Sequence, residues 1–290
     1  DYEVSDPFAP DVPLVVNTGC LTSTAFMTGL RTYFTGYSPL KRTLEGAPMP
    51  AWSAMSGRFG SKLVSAGVGD LVLTGTAREP SILIVKQTDD GPELTLESAP
   101  EEMVGARSPK KLKYLNGRFN DRENRKFPAH FAVIGPAGEN YETVWFACVV
   151  GSTQEMVTTE EDKFRFAGRL GMGSVMGSKK ILAIVAIAEE DVFLKGDERL
   201  KDINREIGRG EQTRGFRNPN NRDGLGGTGK NTRLLDQLGV LPFKNFEPRG
   251  ENLAHPVHLE TMRESNDLIL IDKGCFGCQG ACHQDFYDIS

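Results

Sequence analysis

No apolar run in this chain approaches the ~18 residues that a membrane helix requires, so no spanning segment is expected. Positive charge is not in excess either. There are 34 Lys and Arg against 39 Asp and Glu, a formal net charge of −5. That balance lacks the basic face of a general nucleic-acid binder. The first residues, Asp1-Tyr2-Glu3-Val4-Ser5-Asp6, show no signal-peptide pattern. Cysteines are few and odd in number, five, with three of them clustered. A secreted disulfide framework is thereby disfavoured, and a reducing cytoplasm is the expected setting. No internal repeat and no complete nucleotide P-loop are present: Gly177 is followed by Ser178-Lys179, not Gly-Lys-Ser.

What is present is the profile of a globular protein, 39% hydrophobic and 25% charged. At 290 residues the chain can bury one large core or two ordinary ones. Aliphatic and β-branched runs predict strands at 13–17, 31–37, 71–75, 82–86, 131–136, 143–150 and 181–188. The turn Thr76–Ser81 predicts a hairpin between the third and fourth of these. Helices are expected at 61–66 and 110–116, and the charge-dense span 101–126 reads as a solvated face. After Glu189 the character changes. Leu200, Ile203 and Ile207 recur at helical spacing, 208–230 reads as a loop, and 231–238 as another helix. The expected fold is α+β. A β-rich domain at 1–190 precedes the start of a mainly helical domain at 191–290, which carries the cysteine loop.

Four segments carry candidate chemistry. Cys275, Cys278 and Cys282 are spaced C-x2-C-x3-C, with Gly274, Gly277, Gly280 and Ala281 permitting tight turns. Three thiolates so spaced can converge on an iron–sulfur cluster. Zinc is the rival, although structural zinc sites usually join two separated knuckles. His283, and the pair His255 and His258, read as loop histidines; Cys20 and Cys148 read as buried thiols. The glycine-rich run Ala167-Gly168-Arg169-Leu170-Gly171-Met172-Gly173 can present backbone N–H groups and Arg169 to a phosphate, or can simply be a packed turn. Ser53-Ala54-Met55-Ser56-Gly57 offers hydroxyls, backbone donors and little bulk. Arg31 could grip a phosphate bidentately.

These segments, taken in order, resemble the tungsten-containing aldehyde:ferredoxin oxidoreductases and their relative, the tungsten subunit of benzoyl-coenzyme A reductase. Besides those quoted, Asp6-Pro7-Phe8-Ala9-Pro10, Ile134-Gly135-Pro136-Ala137-Gly138-Glu139-Asn140 and Leu241-Pro242-Phe243-Lys244-Asn245-Phe246 carry the resemblance, which covers nearly the whole chain. It implies a tungsten bis-pterin cofactor (tungstopterin, with molybdenum as the alternative metal) and an adjacent [4Fe–4S] cluster. Arg31, Ala54, Met55, Ser56, Gly57, Arg169, Gly171, Met172 and Gly173 would contact the pterins, and Cys275, Cys278 and Cys282 would ligate iron. Relatives commonly have Asn at Ala54, Gly at Ser56 and Gly at Leu170. They are also longer, so the chain resembles an incomplete part of the family's chain or one part of a split enzyme. The fourth cluster ligand would come from elsewhere.

The implied activity is oxidation of an aldehyde to a carboxylic acid, with electrons leaving through the cluster to ferredoxin or an iron–sulfur subunit. The alternatives are a low-potential reductase of an aromatic or acyl-CoA substrate, and a non-catalytic iron–sulfur electron-transfer or assembly subunit. A homo-oligomer or a complementing chain would complete the assembly. An anaerobic host suits the cluster.

Overall fold

The computed structural model describes residues 4–27, 29–120, 126–192, 196, 198–217, 227–241, 258–274, 278 and 280–290. The fold is α+β, in two compact units. The first comprises Asp1–Ala25 and Gly29–Lys195; the second comprises Phe26–Thr28 and Gly196–Ser290.

The first unit is built on two sheets. Strands β1 (Leu14–Thr18), β2 (Thr32–Arg42), β3 (Pro48–Met55) and, after helix α1 (Phe59–Ser65), β4 (Asp70–Leu73) form an antiparallel sheet in the order β3-β2-β1-β4. Their alternation sends Leu14, Val16, Phe34, Ala51 and Met55 inward. It leaves Tyr33 and Trp52 packed edge to face on the other side. The second sheet contains β5 (Ser81–Thr88), β6 (Gly91–Ser98), β7 (His130–Ile134), β8 (Val149–Ser152), β9 (Phe164–Ala167) and β10 (Ile181–Ile187), ordered β6-β5-β10-β7-β8-β9. Only β10 and β5 run parallel among its described pairings.

Both faces of the second sheet are covered, which is why β5, β7 and β10 read as continuous apolar runs. Leu83, Ile134 and Ile184 join the first sheet, α1 and helix α5 (Met172–Ser178) in one core. Ile82, Val133 and Val185 face helices α2 (Ser108–Phe119) and α4 (Gln154–Thr159) in a second. Thr153 caps α4 by accepting the Met156 N–H at 3.0 Å.

Three expectations are corrected. Strands β4 and β5 do not form a hairpin; they belong to different sheets, β4 beside β1 and β5 between β6 and β10. Residues 144–148 are not strand, because α5 takes their backbone groups. Gly173 N–H donates to Ala147 O at 3.0 Å, and the Ser174 hydroxyl accepts from Ala147 N–H and donates to Val144 O. The charged span is not uniformly solvated: Lys111 is fully buried, donating to Ile134 O and Glu139 Oε1 at 2.8 and 2.5 Å.

The second unit contains α6 (Glu198–Arg209), α7 (Glu211–Arg217), α8 (Thr232–Gln237) and α9 (Leu259–Glu264). Helix α7 falls within the expected loop at 208–230. An antiparallel pair, β11 (Leu268–Lys273) and β12 (His283–Asp288), closes the unit. Among the described residues no helix is long and apolar enough to cross a membrane.

Candidate functional site

A cavity of about 580 Å³ opens in the first unit, where the β2–β3 end of the first sheet meets the turn leading into α5. Arg31, Lys41 and Arg169 supply three cations to its wall, and no carboxylate is among the lining residues described. Met49, Pro50, Trp52, Ala54 and Leu170 supply its apolar flanks. Three positive charges with no internal counterion suit a polyanion, and the flanks suit a flat ring.

The local backbone explains how Arg169 comes to be there. Arg169, Leu170 and Gly171 are three successive left-handed residues, at φ 64°, 54° and 76°. For the first two, which carry side chains, this conformation costs on the order of 1 kcal/mol each. Gly171 cannot be replaced at this place: a Cβ would lie 2.1 Å from Trp145 O. The turn is held from beneath. Ser53 Oγ donates to Arg169 O at 2.7 Å and Ser38 Oγ donates to Leu170 O at 2.8 Å.

The pterin candidates thus divide. Arg31, Ala54 and Arg169 line one cavity. Met55 and Met172 are turned into the core, 1% and 0% exposed, and are not part of its wall. Gly171 and Gly173 serve close packing; a Cβ on Gly173 would lie 2.4 Å from Cys148 O. Gly57 adopts φ 113° to start α1, with Ser56 half-buried before it. The sequence reading missed Lys41. Ser38-Pro39 marks a break in the ladder, but nothing in the sequence says that this break turns Lys41 toward the cavity.

A second polar cluster surrounds α1. Arg58 Nη2 donates to Asp191 Oδ2 at 2.7 Å, Lys62 Nζ pairs with Asp191 Oδ1, and Arg58 also reaches Gln154. Burial holds Lys62 below the usual lysine range despite Asp191. His130, fully buried, contacts Ser152 Oγ through Nδ1 at 3.0 Å. Burial first, then the charges of Arg58 and Lys62, lower its imidazole to about 3.

The cysteine loop joins β11 to β12, whose last pair is Lys273 with His283. Cys278 and Cys282 are half-buried free thiols, and Gly280 N–H points at Cys278 Sγ at 3.4 Å. Backbone donors of this kind suit thiolate ligands of a cluster. Cys275 lies outside the described residues, as do His255 and most of 241–246. Among the described residues no group of three His, Cys, Asp or Glu side chains forms a metal site. Cys20 is exposed, contrary to the expectation of a buried thiol. Cys148 is half-buried, and burial raises its thiol.

Against known proteins, the chain is 29% identical over 96% of its length to the tungsten-containing aldehyde ferredoxin oxidoreductase of Pyrococcus abyssi. It spans 40% of that relative's length. It is 28% identical to the WOR-like subunit of an aliphatic sulfonate oxidoreductase of Pyrococcus furiosus, over 64% of this chain and 27% of that one. Its fold is similar to a chain of the active-site complex BamBC of benzoyl coenzyme A reductase, solved with 1,5-dienoyl-CoA. There the TM-score is 0.64 at 19% identity, over 98% of this chain and 41% of the other. Residues 2–188 match the family described as the aldehyde ferredoxin oxidoreductase N-terminal domain, and the chain belongs to that family.

Proposed function

We propose that this chain is the cofactor-binding part of an oxidoreductase that oxidises an aldehyde to a carboxylic acid. Residues 1–190 would be the tungstopterin-binding domain, and 191–290 would carry the iron–sulfur loop. The observation that supports this reading best is the cavity walled by Arg31, Lys41 and Arg169 without a carboxylate. Its chemistry fits the terminal phosphate and ring of a pterin, and the named relatives are tungsten-containing aldehyde ferredoxin oxidoreductases.

Bound here, the tungsten bis-pterin centre supplies an acceptor for the two electrons of the reaction, RCHO + H2O → RCOOH + 2 H⁺ + 2 e⁻. The chain's own residues bind and orient. Arg31, Lys41 and Arg169 neutralise phosphate charge by charge-assisted hydrogen bonds. Trp52, Pro50 and Ala54 present an apolar flank to the ring. Gly171 and Gly173 keep α5 close beneath the site, so the turn that bears Arg169 cannot recede. Cys275, Cys278 and Cys282 would be this chain's ligands to a [4Fe–4S] cluster, which would supply a one-electron carrier between the site and ferredoxin in the cytoplasm.

The test is metal and pterin analysis of protein purified without oxygen, followed by a substrate screen with ferredoxin as acceptor. Tungsten or molybdenum recovered with pterin, and reduction of ferredoxin by aldehydes, is the expected result. Absence of both metals refutes the proposal. Turnover of acyl-CoA or aromatic thioesters in place of aldehydes replaces the substrate assignment.

A further inference from the structure

Two of the cavity's three cations, Lys41 and Arg169, stand on serines that carry no charge themselves. Between β2 and β3 the register shifts: Ser38 pairs with Met49, and Arg42 with Pro48. Residues 39–41 therefore bulge out of the ladder, and the bulge delivers Lys41 to the cavity wall. Pro39 has no N–H to lose, but Leu40 and Lys41 do. Both donate to Ser38 Oγ, each at 3.1 Å. The same hydroxyl donates its proton to Leu170 O at 2.8 Å. A hydroxyl offers one donor and two acceptor sites, so Ser38, 0% exposed, is fully used. Ser53, 1% exposed on the neighbouring strand, holds the preceding carbonyl, that of Arg169.

We infer that Ser38 and Ser53 are positioning residues for the anion seat: Ser53 fixes Arg169, and Ser38 fixes Lys41 and the Leu170 peptide together. The reason is conformational. Two non-glycine residues in the left-handed region are held only where their surroundings over-determine them. The two carbonyl bonds supply that constraint from the buried side, leaving the guanidinium on the cavity side. Without them, the turn relaxes toward ordinary backbone angles and Arg169 leaves the wall. This inference rests on the proposal that the cavity takes a phosphate-bearing ligand.

The experiment is calorimetric titration of the 290-residue chain with inorganic pyrophosphate at low salt, with melting followed for every variant. Arg169→Ala is expected to weaken binding about tenfold, the worth of one charge-assisted hydrogen bond. Ser53→Ala weakens it severalfold in the unaltered chain and has no effect once Arg169 is Ala. Ser38→Ala weakens binding more than Ser53→Ala. Its effect persists in Arg169→Ala and vanishes only when Lys41 is replaced as well. Ser53→Thr, which keeps the hydroxyl, restores binding.

No pyrophosphate binding by the unaltered chain overturns the phosphate reading of the cavity and this inference with it. Binding that is intact in Ser53→Ala, or additive losses for Ser53→Ala and Arg169→Ala, overturn the positioning role alone. A lowered melting temperature with unchanged affinity also overturns it. If Ser38→Ala does not fold, the Ser53–Arg169 cycle decides.

Discussion

One substitution, made twice, tests the packing under the site. Gly177 lies in α5 and Gly117 in α2, both within helices. A Cβ on Gly177 would sit 1.8 Å from Gly138 O and 2.6 Å from Gly138 C, whereas real Cβ contacts stay beyond 3.0 Å. Both opposing atoms are backbone in helix α3 (Pro136–Glu139), so no side chain can swing aside. The two helices must part by roughly 1 Å, and overpacking of this kind costs up to about 3 kcal/mol. Alanine recovers about 1 kcal/mol of intrinsic helix preference, leaving a net loss of about 2 kcal/mol. For a unit of this size that lowers the melting temperature by roughly 4–8 °C. Gly117 is exposed and a Cβ there meets nothing within 4 Å. Gly117→Ala should therefore stabilise by about 0.5–1 kcal/mol. Scanning calorimetry of the two variants beside the parent checks both signs. A Gly177→Ala protein that melts at or above the parent refutes the backbone-to-backbone contact of α3 and α5.

Burial of His130 makes stability depend on acid. Its folded value of about 3 lies below the ordinary imidazole value of 6.5, so the unfolded chain binds the proton first. Stability contributed by the neutral ring is present above pH 6.5 and is lost as pH falls toward 3. Between pH 7 and pH 5 the loss is about 2 kcal/mol. Denaturant titrations of His130→Asn should show that much less acid sensitivity, and an unchanged slope counts against it. Lys111→Met should cost about 3 kcal/mol or more, because it strands Glu139 Oε1 and Ile134 O and leaves the carboxylate only the Gly105 N–H. Adding Glu139→Gln should recover part of this, and full additivity in a double-mutant cycle argues against the buried pair. Cys278→Ser should remove the cluster's optical and EPR signals from protein prepared without oxygen. Persistence of both signals removes Cys278 from the ligand set.

Much of the β-rich unit was legible because its central strands are buried on both faces. Ile181–Ala188 and Phe131–Ile134 show themselves as apolar runs without reference to any neighbour. Strand β3 was not legible: Pro48 and Pro50 argue against a strand, and are tolerated because β3 is an edge of its sheet. Pairing was legible least. Adjacent runs such as 71–75 and 82–86 suggest a hairpin, and only tertiary packing assigns them to separate sheets. In the site, Arg31 and Arg169 could be suspected from residue type and glycine context. Lys41 could not, because a bulge brings it to the cavity. Nor could Ser38 and Ser53, whose contacts lie 132 and 116 residues away. Glycine spacing in 171–177 was visible, but its cause was not: backbone carbonyls of 138, 145 and 148 press against those positions.

The place of β10 in its sheet has a consequence for how the unit is made. It is the last strand of that sheet in sequence, yet it sits near the middle, joining β5 on one side to β7 on the other. Until residues 181–187 leave the ribosome, β5–β6 and β7–β8–β9 are two separate ribbons with no ladder between them. Of the partners of β10, β5 lies about a hundred residues earlier and β7 about fifty, the kind of distant pairing that folds slowly. The turn at 169–171 lies between β9 and α5, the helix that leads into this strand. The cavity is thus among the last features of the unit to be assembled during synthesis, after every other strand that frames it already exists.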